Sequence, residues 1–184
     1  MAKLVTGTYG EALYEYAVSE KKEKMLLEEV IQLKEVFKKN PEFLDMMNHP
    51  KITKDEKKEA LKNVFDTFAS TDLTSFCTLV LQKDRFSEIS GILDFFIARM
   101  KEYLKIGTAT VTTAVSLKDS QKKDIEKKLL DTTSYETMEI KYELDSSLIG
   151  GMKIRIGDRV VDSSIKTKLE KLTKELSEVQ IARK

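Results

Sequence analysis

Residues 148–165 read LIGGMKIRIGDRVVDSSI, a stretch that holds three of the chain's seven glycines and the only Gly-Gly pair. Met152, Ile154 and Ile156 alternate with Lys153 and Arg155, so one face of this segment is apolar and the other solvated, the period of a half-buried strand. Gly157-Asp158 is a two-residue hairpin loop, with glycine supplying the positive φ that a type II′ turn needs at its first central position. Arg159, Val160, Val161 and Asp162 form the returning strand. Ser163 or Ser164 then caps a helix starting near Ile165 by offering a side-chain oxygen to free backbone N–H groups. Gly150-Gly151 falls where the chain must turn sharply into the hairpin. The unit is strand, turn, strand, helix, and none of it requires a catalytic side chain.

Working outward, Met138, Ile140, Tyr142 and Leu144 alternate with Glu139, Lys141 and Glu143 as a second half-buried strand. Lys118 to Asp131 has helical spacing with Ile125 and Leu129 inward, and Thr108 to Val115 is rich in residues that favour strands. Before Gly107 the spacing is helical throughout. Leu26, Val30, Leu33 and Phe37 share a helix face. Asn40-Pro41 closes that helix and opens a short one, Asn as cap and Pro in the first turn. Thr53 and Glu56 have capping-box spacing ahead of Ala60, Leu61, Val64 and Phe65. A fifth stripe follows Asp72 in Leu73, Phe76, Cys77 and Val80, and a sixth runs through Ile89, Ile92, Leu93, Phe96, Met100 and Tyr103. The expected architecture is α plus α/β: an N-terminal six-helix bundle over residues 1–105, then a small α/β domain with a C-terminal helix over residues 106–184.

The Leu148–Ile165 block resembles the C-terminal signature of the family that contains the δ subunit of bacterial F-type ATP synthase and the mitochondrial oligomycin-sensitivity-conferring protein. The resemblance is carried by Leu148, Ile149, Gly150, Gly151, Gly157, Asp158, Asp162, Ser163 and Ile165. Tyr9, Ala12, Leu13 and Ala17 are similar to the family's opening helix. Asn40-Pro41, Pro50, Lys57-Lys58 and Asp84-Arg85 fit its later boundaries. The resemblance implies a non-catalytic stator subunit on the cytoplasmic side of the cell membrane, held there peripherally by its complex. Its helical domain would grip N-terminal segments of α subunits, and its C-terminal domain would hold the b subunits of the peripheral stalk. It would resist torque while ATP synthesis is coupled to ion transport, and the sequence does not give the coupling ion.

Composition agrees and excludes rivals. Lys and Arg number 32 against 31 Asp and Glu, a net charge of +1, without the basic excess of a nucleic-acid binder. No apolar run approaches the ~20 residues that span a bilayer, and the first residues lack the apolar core of a signal peptide. A single cysteine cannot form an internal disulfide. One histidine, His49, and one cysteine, Cys77, cannot supply a zinc site. The glycines open a hairpin with no Gly-Lys-Ser/Thr after them, so a phosphate loop is excluded. No catalytic residue, cofactor or metal is expected.

What remains is surface for other proteins. Ile165, Leu169, Leu172, Leu176 and Val179 step by four and three, the seam of a coiled coil. Ile165 and Leu169 are expected to pack on the domain's own sheet, while Leu172, Leu176 and Val179 run past it and are the candidates for contact with the b subunit. For the α subunit the candidates are Tyr9, Ala12, Leu13, Phe76 and Val80, with small Ala12 flooring a groove between helices. The alternative reading is an unrelated helical adaptor or regulatory module that binds proteins.

Overall fold

The computed structural model describes residues 2–65 and 69–169. The chain divides into two compact units, Met1–Tyr103 and Leu104–Lys184, one helical and one built on a sheet.

In the first unit the helices are α1 (Ala2–Ser19), α2 (Glu23–Lys39), α3 (Pro41–Asn48), α4 (Lys54–Phe65), α5 (Thr71–Gln82) and α6 (Ile89–Tyr103), with a short 3-10 turn at Phe86–Glu88. The α2 stripe is inward as the spacing requires: Leu26, Val30, Leu33 and Phe37 are buried. They pack in a core with Leu13, Ala17, Leu61, Phe65, Leu73, Cys77, Val80, Ile92, Leu93, Phe96 and Met100. Each fully buried Leu or Phe contributes roughly 1.5–3 kcal/mol relative to exposure, and this burial drives the helices together.

The sequence also sets the helix ends. Thr53 N–H donates to Glu56 Oε2 (2.9 Å) and Glu56 N–H to Thr53 Oγ (3.3 Å), the reciprocal bonds of a capping box. Ser70 caps α5 by accepting from Leu73 N–H, and is itself held by Glu29 of α2, whose carboxylate takes both its N–H and its hydroxyl. Asn40 departs from expectation. Its amide makes no cap bond to α3; it donates back to Val36 O at 2.9 Å and closes α2 instead. Tyr103 is also not inward. It is half-exposed and edge-on to Tyr14, ring centroids 5.8 Å apart.

α1 and α6 approach closely because both carry glycine at the crossing. A Cβ on Gly10 would lie 2.5 Å from Phe95 Cδ1 and 3.1 Å from Phe95 Cβ, and one on Gly91 would lie 2.8 Å from Thr6 Cγ2.

The second unit contains β1 (Ile106–Thr113), α7 (Asp119–Thr132), β2 (Thr137–Leu144), a 3-10 turn (Ser146–Leu148), β3 (Met152–Ile156) and β4 (Arg159–Asp162). Strand order is β2-β1-β3-β4. β1 and β2 are parallel, joined through α7, while β3 lies antiparallel to both β1 and β4. Ala109 and Val111 of β1 sit opposite Ile140 and Tyr142 of β2 and opposite Ile156 and Ile154 of β3. This face, with Met138 and Met152, packs against Ile125 and Leu129 of α7. β1 ends two residues before Val115, because the Thr113 hydroxyl donates to Val115 O (2.8 Å) and bends the chain there. Leu144, expected inward, is 68% exposed at the last position of β2.

The hairpin has the anticipated loop. Ile156 pairs with Arg159, leaving two residues in the turn, and Gly157 has φ 54° while Asp158 keeps a negative φ, as in a type II′ turn.

Candidate functional site

α1 and α5 together line an open groove of ≈ 580 Å³. From α1 come Thr8, Tyr9, Ala12, Leu13 and Tyr16; from α5 come Asp72, Ser75, Phe76 and Leu79. Each set has the three- and four-residue spacing of a single helix face, which is why two short runs of sequence produce a continuous lining. Of the residues singled out from sequence, Tyr9, Ala12, Leu13 and Phe76 meet here. Val80 does not: it is 0% exposed and points into the core beside Leu73 and Cys77. Its position explains the difference, since Leu79 carries the groove face of α5 one residue earlier and stays 46% exposed. Thr8, Tyr16, Asp72, Ser75 and Leu79 were not singled out. The available signal was their spacing of three or four from Ala12 and Phe76, but that spacing equally fits an ordinary solvated face.

One end of the groove is polar. The Tyr16 hydroxyl donates to Asp72 Oδ1 at 2.9 Å, and Lys22 Nζ donates to Asp72 Oδ2 at 2.5 Å. The hydrogen bond from Lys22, and then that from Tyr16, holds the Asp72 carboxyl below its ordinary range. The same bonds push Lys22 and Tyr16 upward, because giving up its proton would cost each its hydrogen bond to the charged Asp72 carboxylate. The rest of the lining is apolar or hydroxylic, suiting an amphipathic helix laid lengthwise.

A second candidate surface lies where the chain enters and leaves the β3–β4 hairpin. Gly151 has φ 79°, and a Cβ there would lie 2.6 Å from Ser163 O, so both conformation and space demand glycine. Gly150 O accepts from Ile165 N–H at 3.0 Å, and Met152 O from Ser163 N–H at 2.9 Å. The helix beginning at Ile165 is capped by Ser164, whose Oγ accepts from Thr167 N–H at 3.3 Å. Asp162 Oδ1 accepts from Ser164 N–H (2.9 Å) and Oδ2 from the Thr167 hydroxyl (3.0 Å). These bonds, that from Ser164 foremost, hold the Asp162 carboxyl below its ordinary range. Gly150, Gly151, Asp162 and Ser163 therefore form one clasp between hairpin and helix, and Gly157 and Asp158 close the hairpin's far end. Ile165 and Leu169, expected to pack on the sheet, remain 44% and 51% exposed. Leu172, Leu176 and Val179 lie outside the described residues.

Reactive chemistry has little to work with. Cys77 is fully buried, and burial pushes its thiol up, away from the reactive thiolate. His49 is exposed and accepts Lys51 N–H at its Nδ1 (3.2 Å). Among the described residues no group of three His, Cys, Asp or Glu side chains is placed to hold a metal ion. No described helix is long and apolar enough to cross a membrane.

Known proteins are similar to this chain in fold and in sequence. A chain of the mitochondrial ATP synthase hexamer of Toxoplasma gondii has the same fold, with a TM-score of 0.71 over 93% of this chain and 96% of that one at 15% identity. ATP synthase subunit delta of Lachnoclostridium phytofermentans is 46% identical over 181 residues, covering 98% of this chain and 100% of that protein. The subunit delta of Acetivibrio thermocellus is 32% identical over 91% of this chain and 94% of its own. A family model described as ATP synthase delta (OSCP) subunit matches residues 5–176. With that match across nearly the whole length, and a relative so similar from end to end, the chain belongs to the ATP synthase delta (OSCP) subunit family.

Proposed function

We propose that this chain ties the catalytic head of an F-type ATP synthase to the b subunits of its peripheral stalk, each through a different unit. Membership of the family makes it a non-catalytic stator subunit. Its work is to keep the head from turning while the central stalk rotates and ATP synthesis is coupled to ion transport. The task asks for tight protein contacts and not for general acids or metals. In this reading the helices of residues 1–105 act as one six-helix bundle that takes an N-terminal helix of an α subunit. Residues 106–184 hold the b subunits through the C-terminal helix, at Leu172, Leu176 and Val179. The complex holds the chain peripherally on the cytoplasmic side of the membrane.

The observation that carries this reading is the groove between α1 and α5. Its apolar floor of Tyr9, Ala12, Leu13, Phe76 and Leu79 has the length and chemistry to receive the apolar face of an amphipathic helix. Ala12 decides whether a helix can approach, because a larger side chain there fills the floor. The test is titration of a labelled peptide from the start of the α subunit into the full chain and into Ala12→Trp. Binding by the parent and a loss of roughly tenfold or more in the variant, with unchanged circular dichroism, is the expected result. Equal affinities would place the α contact outside the groove.

A further inference from the structure

Asp72 puts a charge into a groove that is otherwise neutral. Of the described residues that line the space between α1 and α5, Asp72 alone carries a formal charge; the others are apolar, aromatic or hydroxylic. Its own partners do not use up the carboxylate. The Tyr16 hydroxyl takes one oxygen and Lys22 Nζ the other, whereas an ionised carboxylate offers about four lone-pair sites. The Asp72 side chain also keeps 23% of its surface exposed.

The sign of the charge says what an occupant must bring. Lys22 holds Asp72 from the start of α2 and is not among the lining residues, so the groove meets the acceptor and not the ammonium. Tyr16 gives its proton to Asp72 and so turns only lone pairs outward. Glu20 lies near enough to Lys22 and Tyr16 for its charge to act on both. With Lys22 positive and Asp72 and Glu20 negative, this end of the groove has one negative charge in excess. Leu79, two turns along α5 and ~10 Å from Asp72, belongs to the apolar part. A helix with a purely apolar face would cover Asp72 without offering it a donor, and burying an unpaired charge is costly. A helix with a cation at one end of that face avoids this cost in one register and incurs it in others.

We infer that Asp72 is the specificity-determining residue of the groove: it accepts from a lysine or arginine carried at one end of the apolar face of the α-subunit helix, and so fixes where along the groove that helix seats. The inference rests on the proposed α-subunit contact and adds to it the charge the partner must carry and the residue that meets it.

The experiment is a double-mutant cycle on the full chain, with a labelled peptide from the start of the α subunit as probe. Each Lys and Arg of the peptide is replaced in turn by Gln, and every peptide is titrated into the parent and into Asp72→Asn. Because Asp72 also ties helices together, titrations are run where circular dichroism shows both chains folded. The expected result is one peptide position at which Gln weakens binding to the parent roughly fivefold or more, but binding to Asp72→Asn by less than about twofold. The parent alone gives a second reading that no folding defect can obscure: Glu at that position must weaken binding further than Gln, since it sets like charges together. Equal losses in both chains at every sensitive position overturn the inference, as does equal binding of the Gln and Glu peptides by the parent. Binding that Ala12→Trp abolishes but that no Lys or Arg substitution weakens by more than about twofold overturns the role of Asp72 and leaves the groove contact standing. Failure of the parent to bind the unsubstituted peptide, or equal binding by Ala12→Trp, overturns the groove contact and this inference with it.

Discussion

Asp72 shows how one residue joins stability to the groove. It lies in the first turn of α5, takes Lys22 from the start of α2 and Tyr16 from α1, and so ties three helices at the groove's polar end. Its carboxyl titrates lower in the folded chain than in the unfolded one. The stability it contributes is thus fully present above the ordinary aspartate value of about 3.9 and is lost as pH falls through the lowered folded value. Lys22 has the opposite sign: its raised folded value keeps its contribution intact below the ordinary lysine range and loses it as pH rises beyond that range. Asp72→Asn is therefore expected to melt below the parent at neutral pH, with the gap closing as pH is lowered through the carboxylate range. Melting curves followed by circular dichroism between about pH 2 and pH 7 would show this, and a gap constant down to the acid end would mean the ion pair contributes nothing. Residue type alone disclosed part of this level. Gly157 was readable because a two-residue hairpin needs positive φ. Ile149, at φ 63°, was not, because nothing about isoleucine announces a positive φ. Asn40 was ambiguous by chemistry: its amide could serve the helix before it or the one after, and neighbouring backbone decided.

Among the elements, local devices were the most legible. The Thr53–Glu56 box joins partners three residues apart, so no tertiary contact is needed to anticipate it. The β3–β4 hairpin follows from alternation and its turn for the same reason. Groove and core were harder to separate, because both repeat every three or four residues. Leu79 and Val80 are adjacent, yet one lines the groove and the other fills the core. The register of α5 against α1 makes that choice, and one sequence does not contain it. The α1–α6 crossing was also hidden, since its glycines carry no turn signal. Gly10→Val is expected to destabilise the helical unit by about 1–3 kcal/mol, through overpacking against Phe95. Phe95 cannot swing clear, because its Cβ, fixed to the α6 backbone, would itself be only 3.1 Å away. Urea denaturation would measure the change; a neutral or stabilised variant would show that α1 and α6 can slide apart at little cost.

At the scale of the molecule the change from helical to strand period sets an expected boundary near Gly107, and the compact units divide after Tyr103. Each unit has its own buried apolar core, so cleavage between residues 103 and 107 under limited proteolysis is expected to leave a stable helical fragment. A single resistant core running through that segment would speak against independent folding. The expected partners rest on the resemblance alone, because surfaces made for proteins and surfaces made for water differ by a few residues. The central claim is that this chain links head and stalk, and it is tested most directly by purifying the ATP synthase from membranes through a tag on this chain and quantifying what comes with it. The account predicts co-purification of the α, β and b subunits as one assembly. Recovery of the chain without them, together with an intact, coupled ATP synthase that lacks it, would contradict the account.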